Sequence, residues 1–492
     1  MGLQLALARG ISAVSTFGLK RVFKRPAANF PGKIALYVDP HLIADLARKL
    51  ERGSVVVCGT NGKTTVTNLL ADALETAGMR VICNRTGANL DSGVATALLH
   101  GKRADWGVFE SDELWLAKVL PQLKSDYLIL LNLFRDQLDR VGEIDRIQES
   151  IAGALSSSPD TVLLYNADDP LCEAIARRVP NKHIAFGVGE DMGLPQNTVA
   201  DAQMCQMCSG MLAYEYRQYG QLGEYRCPQC GFARPTLDFA ACRVRFEVDG
   251  IAFSAGTDAN TTVDIHSTAT GAYMVYNLLA TFANARLLGC PPDAFQGALD
   301  AFDPQNGRLE HLVVEGRPVL LNLAKNPTGF NQNLKIITQD AGPRAVAFFV
   351  NDKEGDGRDV SWIWDVDFEE LAEAENIVVF AGGIRKNDVQ VRLKYAGVDA
   401  ALIGGAADML EQTADLPPEY RFYLIANYTA LPGVRAELVR LVEQGGSAAS
   451  IGGAAPLGNR GGAGEHDAER RESSAARGDA AFERGESAEG GL

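Results

Sequence analysis

From Ser54 onward the chain alternates short apolar, β-branched runs with helical stretches: "SVVVCG", then "TTVTNLLADALETAG", then "RVICN", a helix through "SGVATALLH", and the runs "WGVFES", "YLILLNL" and "TVLLYN". Runs of this kind are apolar on both faces, so the pattern calls for a parallel sheet covered by helices on each side. This first α/β block covers residues 45–200, and residues 201–235, rich in Cys, Tyr, Gln and Gly, break it as an inserted module. From 236 to 312 the helix "GAYMVYNLLATFANARLLG" continues the theme and "FDPQNGRLEHL" closes it. A second α/β block then runs through "PVLLNLA", "RAVAFFVND", "NIVVFAGG", "AALIGG" and "RFYLIANYT", at spacings that leave room for crossover helices. The expected organisation is an arm over 1–44, a central domain over 45–312, a C-terminal α/β domain over 313–440 and a tail over 445–492. The tail is Gly, Ala, Ser, Glu and Arg with almost no large apolar residue, and such a segment cannot bury enough surface to fold.

Composition narrows the class. With 46% hydrophobic and 22% charged residues the 492-residue chain can build about two to four domains, each with its own core. No run approaches the roughly 18 to 20 uninterrupted apolar residues of a membrane helix, and "GLQLALARGISAVSTFGL" carries Arg9 and no clear cleavage site, so the reading is cytoplasmic. A net charge of -15 argues against bulk nucleic-acid binding. Yet Arg9, Lys20, Arg21, Lys24, Arg25 and Lys33 all precede the first acid, Asp39. This basic arm is either a solvated helix face or a peripheral contact with the anionic inner face of the cell membrane.

The stretch "VVVCGTNGKTTVTNLL" reads as a buried strand ending at Cys58, a glycine turn and a helix starting near Lys63. Such a turn aims backbone N–H groups and the helix dipole at one point, where an anion is favoured. Lys63 adds a mobile cation there, and the Thr64 hydroxyl is placed to hold Mg2+. Cys58 is a small apolar filler rather than a nucleophile.

Four of the nine cysteines form the pairs "CQMC" and "CPQC", Cys205 with Cys208 and Cys227 with Cys230, separated by a hairpin-length stretch. Paired knuckles at this spacing supply the tetrahedral thiolate shell of Zn2+, and with all four positions filled the metal is structural. A redox pair would come as one CxxC at a helix start. The tyrosine-rich stretch between the knuckles and the acidic chain argue against nucleic acid as its partner.

The usual P-loop pattern needs a glycine five positions before Gly62, where Val57 stands within the strand. In this shorter form "GTNGKTT" resembles the phosphate loop of the Mur ligases and folylpolyglutamate synthases, which are ATP-dependent amide-forming enzymes. The resemblance implies that Gly59, Thr60, Asn61, Gly62, Lys63, Thr64 and Thr65 hold ATP, and that Glu110 in "VFESDE" shares the Mg2+ with Thr64. "YNADDP", with Asn166, Asp168 and Asp169, resembles the adenine-side segment of those ligases, while Asn277 and Arg308 of "NGRLE" resemble their central-domain nucleotide contacts. Singly, each has a plainer reading: Asn166 and Asp168 as a turn, Asn277 as a packed helix residue, Glu110 as a surface acid and Arg308 as an ion-pair partner. Their joint order favours the nucleotide site, because independent accidents would have to line up.

An amino-acid-adding Mur ligase would carry histidines where this chain has "RDQLDRVGEID" and "NLAKNP". Those departures, the four-cysteine insertion and "NDKEGDGRDVSWIWDVDFE" resemble the MurT family, the ligase-like subunits of lipid II isoglutaminyl synthases, over residues 40–435. The resemblance implies a Mur-ligase-like multidomain α/β fold, with a parallel-sheet ATPase domain, an inserted four-cysteine zinc ribbon and an α/β C-terminal domain. It implies ATP-dependent amidation of the α-carboxyl of D-glutamate in the lipid II stem peptide, through an acyl phosphate. Ammonia would come from a GatD-type glutamine amidotransferase in a heterodimer, and neutral ammonia needs no amino-acid pocket. Asp359 of "DGRD" would cross to that glutaminase and orient its histidine, completing a Cys-His-Asp triad. Read alone, an acid after "DG" is a turn or helix cap, and Asp352 and Asp356 are its nearest rivals. Two other readings remain: a stand-alone amino-acid ligase, and a zinc-ribbon scaffold whose nucleotide site regulates binding.

Overall fold

The computed structural model describes residues 29–135, 144–195, 201–247, 250–257, 262–302 and 307–444. Most of the basic arm, most of "RDQLDRVGEID" and the tail lie outside the described residues.

The alternating runs fold as read. β1 (Leu50–Cys58), β2 (Val81–Cys83), β3 (Ala104–Glu110), β4 (Tyr127–Leu130) and β5 (Val162–Asn166) are strands, with helices between them, and β6 (His183–Val188) follows. The inserted module is a separate antiparallel hairpin of β7 (Ala213–Tyr219) and β8 (Leu222–Arg226). After it come β9 (Phe239–Glu247), β10 (Gly250–Gly256) and β11 (Val263–Ser267). The first sheet has the order β11-β10-β9-β6-β5-β4-β1-β3-β2, parallel from β2 to β9 and antiparallel beyond. The antiparallel extension is a finding beyond the parallel sheet. β9 alternates buried and more open positions, the pattern of a half-buried strand, which a reading based on unbroken apolar runs passes over.

Burial of both faces is visible along β1. Val55 and Val57 join one core with Leu69, Leu70 and Leu278, while Val56 and Cys58 join the other with Val94, Leu116 and Leu128. Each of these β1 side chains is completely buried, which for a valine is worth roughly 1.5–3 kcal/mol. The burial also pushes the Cys58 thiol well up, so it fills space and is not a nucleophile.

A second sheet contains β12 (Glu310–Val314), β13 (Arg317–Leu323), β14 (Arg344–Phe349), β15 (Ile377–Gly382), β16 (Ala400–Leu402) and β17 (Arg421–Ala426). Its order is β12-β13-β17-β14-β15-β16, parallel except for the β12–β13 hairpin. That hairpin turns at Glu315 and Gly316, both at positive φ, as a tight two-residue hairpin turn requires. The junction read at 312–313 therefore falls inside β12. Among the described residues no helix is long and apolar enough to cross a membrane.

Candidate active site

After β1 the chain passes to β2 and β3 on one side and then to β4 on the other, so the strand order reverses beside the carboxyl end of β1. Crevices at such reversals are where open α/β sheets take ligands. Here residues 59–62 link β1 to the helix Lys63–Thr76. Gly59 and Gly62 have φ of 136° and 89°, and a Cβ on Gly62 would lie 2.3 Å from Asn277 Oδ1. Only glycine accepts both the conformation and that approach. No side chain caps the helix at Gly62, which leaves its first N–H groups to an incoming anion.

The loop is held from two directions. Asn132, just past β4, accepts from the Asn61 N–H at 2.9 Å and donates to Asn61 O at 3.1 Å, and its own carbonyl accepts from the Thr60 N–H at 2.9 Å. Asn326 caps the helix Pro327–Gln339 by accepting from the Gly329 N–H at 2.8 Å. Its Nδ2 reaches Asn61 Oδ1 at 3.3 Å. The "AKNP" segment thus touches the phosphate loop itself.

Lys63 folds back on its own loop. Nζ donates to Gly59 O at 2.5 Å and to Glu113 Oε1 at 3.3 Å, and the residue is only 8% exposed. Burial opposes its charge, but Glu113 and Glu110 more than offset this and hold the group an ammonium. Burial raises the Glu113 carboxyl, with Lys63 pulling it back.

Thr64 Oγ1 donates to Glu110 Oε2 at 2.6 Å. Glu110 ends β3 and is fixed by Asn84, which accepts from its N–H at 2.8 Å and donates to its carbonyl at 2.9 Å. Gly87 lies over the pair, since a Cβ there would be 3.3 Å from Thr64 Oγ1. Two hard oxygens side by side at a phosphate loop fit a divalent cation such as Mg2+, which takes one or two protein oxygens and completes its shell with phosphate and water. Arg308 is half-buried; burial lowers its basicity, while the charge of Glu110 and the Tyr428 phenol act the other way.

The structure therefore brings together residues 59–65, Glu110 and Asn277, with Arg308 within electrostatic reach. Asn166 and Asp168 stand apart. Both are completely buried at the carboxyl end of β5. Asn166 Oδ1 accepts from the Asp168 N–H at 3.1 Å. The Asp168 carboxylate is taken by Arg234 Nη1 at 2.9 Å, the Val188 N–H at 2.9 Å and the Tyr276 hydroxyl at 2.7 Å. Neither offers an exposed atom to a nucleotide, because the pair ties β5, β6 and the helix Ala272–Leu287 together. Asn84, Glu113, Asn132 and Asn326 are the residues that sequence reading missed. The one local signal was a polar Asn132 interrupting an apolar run.

The four cysteine sulfurs lie within 4.8 Å of one another, with Cys205–Cys230 and Cys208–Cys227 at 3.5 Å, and none forms a disulfide. The two knuckles repeat one turn: Ser209 and Gly231, each following the second cysteine of its pair, have φ of 60° and 76°. A closed, four-thiol cluster is the donor set of a structural zinc. Asp359 sits elsewhere, exposed on the turn after "DGR", accepting from the Ser361 N–H at 2.8 Å. That bond holds its carboxyl below the usual range. Its rivals are engaged: Asp356 is buried against the Thr429 N–H and hydroxyl, and Asp352 lies 3.7 Å from Arg385 Nε.

Residues 57–221 match the family described as Mur ligase middle domain. MurF from Acinetobacter baumannii shares the fold, with a TM-score of 0.62 at 16% identity over 83% of this chain and 80% of that one. With a phosphate loop at the reversal point of such a sheet, the chain has the Mur-ligase fold. Residues 323–431 match the family described as MurT ligase C-terminal. The MurT subunit of lipid II isoglutaminyl synthase (glutamine-hydrolyzing) from Staphylococcus aureus (strain COL) is 32% identical over 432 residues, 87% of this chain and 96% of that protein. The Streptococcus pneumoniae (strain ATCC BAA-255 / R6) subunit is 31% identical over 447 residues, 88% and 96% of the two. The chain belongs to the MurT family.

Proposed function

We propose that this chain is the ATP-using subunit of a lipid II isoglutaminyl synthase. The α-carboxylate of D-glutamate in the lipid II stem peptide attacks the γ-phosphorus of ATP, and ADP leaves. Ammonia, released from glutamine by a GatD-type amidotransferase bound in a heterodimer, attacks the acyl phosphate carbon. The C–O bond breaks, and inorganic phosphate departs with the former carboxylate oxygen and takes up the proton that ammonia loses as it becomes the amide nitrogen. The carrying observation is the Thr64–Glu110 oxygen pair at 2.6 Å beside an uncapped helix N-terminus and the Lys63 ammonium. Those groups suit Mg2+ and a triphosphate, whose transfer is catalysed by positioning and charge stabilisation.

In this reading residues 59–65, Asn277 and Arg308 hold ATP, while Asn166 and Asp168 position the adenine side from beneath. Cys205, Cys208, Cys227 and Cys230 hold a structural zinc. Residues 45–312 carry the nucleotide and 313–440 the glutaminase contact, with lipid II reached at the inner membrane surface. Lipid II labelled with 18O in the D-glutamate carboxyl, incubated with ATP, Mg2+, glutamine and both subunits, should transfer one 18O to phosphate per amide formed. Amide formation without label in phosphate rules out the acyl phosphate, and amidation of lipid II with no second subunit and no ammonia rules out the division of labour.

Glu113 occupies Lys63 when no phosphate does, so ATP must take the lysine from it. Glu113→Gln keeps the shape, removes the competing charge and leaves Lys63 buried without its ion-pair partner. The nucleotide-free chain should melt lower than wild type, and a non-hydrolysable ATP analogue with Mg2+ should raise its melting temperature by more than it raises the wild type's. An equal or smaller rise in thermal-shift measurements contradicts this account of the pair.

A further inference from the structure

A zinc ribbon ordinarily exposes the tip of its hairpin, as surface loops do. In this chain the tip is the most buried part. β7 ends at Tyr219 and β8 begins at Leu222, joined through Gly220 and Gln221. Gln218, Gln221 and Leu222 are completely buried and Tyr219 is 4% exposed, whereas Cys208 and Cys230 at the opposite, knuckle end are exposed. The hairpin is thus inserted tip-first into the central domain.

What the tip touches is the back of the phosphate loop. Residues Asn132, Leu133 and Phe134, the segment after β4, form a strap. On one side Asn132 makes the three bonds to Thr60 and Asn61 described above, and the Phe134 N–H donates to Thr60 Oγ1 at 3.0 Å. On the other side the Leu133 carbonyl accepts from Gln221 Nε2 at 2.7 Å, and the Leu133 N–H donates to Asp169 Oδ2 at 2.8 Å. The Phe134 ring stacks on Tyr219 with centroids 6.1 Å apart, and Tyr219 meets Tyr276 edge-on at 5.8 Å. Tyr276 is the residue before Asn277, which packs on Gly62. A Cβ on Gly220 would stand 2.9 Å from the Phe134 ring, so there is no slack between tip and strap.

We propose that the ribbon hairpin is a brace for the nucleotide site, and that Gln221 is a positioning residue whose bond to Leu133 O sets the Thr60–Asn61 arm of the phosphate loop. This explains what a closed, non-catalytic metal cluster does in a ligase: it stiffens the outer end of a lever whose inner end supports the ATP loop. It also separates this ribbon from nucleic-acid-binding ribbons, since the tip is not available to a partner.

The proposal rests on the assignment of ATP to this loop, and the test separates the two. In the full chain bound to its glutaminase, Gln221→Met keeps side-chain length and removes the donor, while Gly220→Ala adds one methyl against Phe134. Each should raise the KM for ATP about fivefold, the scale of one neutral hydrogen bond, with kcat at saturating ATP and the KM for lipid II within about twofold of wild type. Affinity for a non-hydrolysable ATP analogue, measured by calorimetry, should fall in parallel. Because Gly220 sits at φ 54°, Gly220→Ala also strains the turn, so Gln221→Asn, which keeps the amide but withdraws the donor from Leu133 O, decides the matter if neither of the others folds. An unchanged ATP KM in a folded variant overturns the brace, as does an equal loss on ATP KM, lipid II KM and kcat, which marks a merely structural role. Lys63→Ala serves as the control: if it still binds the analogue normally, the assignment of ATP to the loop fails instead.

Discussion

Lys63→Ala is expected to abolish amidation whether nitrogen comes from glutamine or from added ammonium, with kcat lower by about 10³ or more. The ammonium is the mobile cation of the loop, and its Nζ already sits 2.5 Å from Gly59 O, at the point from which phosphate oxygens would draw it. Glutamine hydrolysis by the partner should persist, because nothing in this loop serves that chemistry. The substitution also strands Glu113 in a buried site. Its carboxyl is already raised by burial and loses the one neighbour that lowers it most, so it takes up a proton rather than remain an unpaired anion. The sign follows from a folded-state value raised above the unfolded one. The variant should be most stable below the ordinary glutamate value of about 4.3 and lose stability as pH rises through the raised value, more steeply than wild type. Thermal melts across pH 4 to 8 read this directly, and a variant with full ammonium-dependent activity or a wild-type pH profile of stability contradicts the role given to the pair.

The strands were legible because they are buried on both faces and so nearly unbroken in apolar residues. β1 is the clearest case, with Val55 and Val57 in one core and Val56 and Cys58 in the other. β9 and β11 were not, because their open positions break that continuity, and β10, buried throughout, is built largely of Gly, Ala and Ser, which give a weak apolar run. The phosphate loop was legible because strand, glycines, lysine and helix are contiguous in the chain. Its partners are not contiguous: Thr64 meets Glu110 46 residues on, Asn61 meets Asn132 71 residues on, and Asn326 is 265 residues away. No local period encodes such convergence. Asn166 and Asp168 show the converse, since a turn-like "NADD" segment fits both a ligand contact and the internal network that the fold makes of it. Polar residues at strand ends are ambiguous until burial is known.

Asp359→Asn should separate the two halves of the reaction. The substitution keeps shape and the acceptor oxygen for the Ser361 N–H, but removes the charge that an imidazolium needs and offers an amide where a carboxylate should hold the tautomer. Glutamine hydrolysis by the complex is expected to fall about 10³ to 10⁴-fold, and glutamine-dependent amidation with it. Amidation driven by added ammonium salt should stay near wild type, since the ligase site lies in the other sheet. The geometry favours Asp359 over its neighbours: it is exposed on its turn and held ionised by a backbone N–H, whereas Asp356 is buried and locked to Thr429. Asp356→Asn should accordingly lower the melting temperature, and any loss of rate should fall on both nitrogen sources alike. If Asp359→Asn hydrolyses glutamine normally, the triad lies wholly within the partner. If it loses the ammonium-driven reaction as well, the residue serves the ligase or the fold, and the crossing carboxylate must be sought elsewhere.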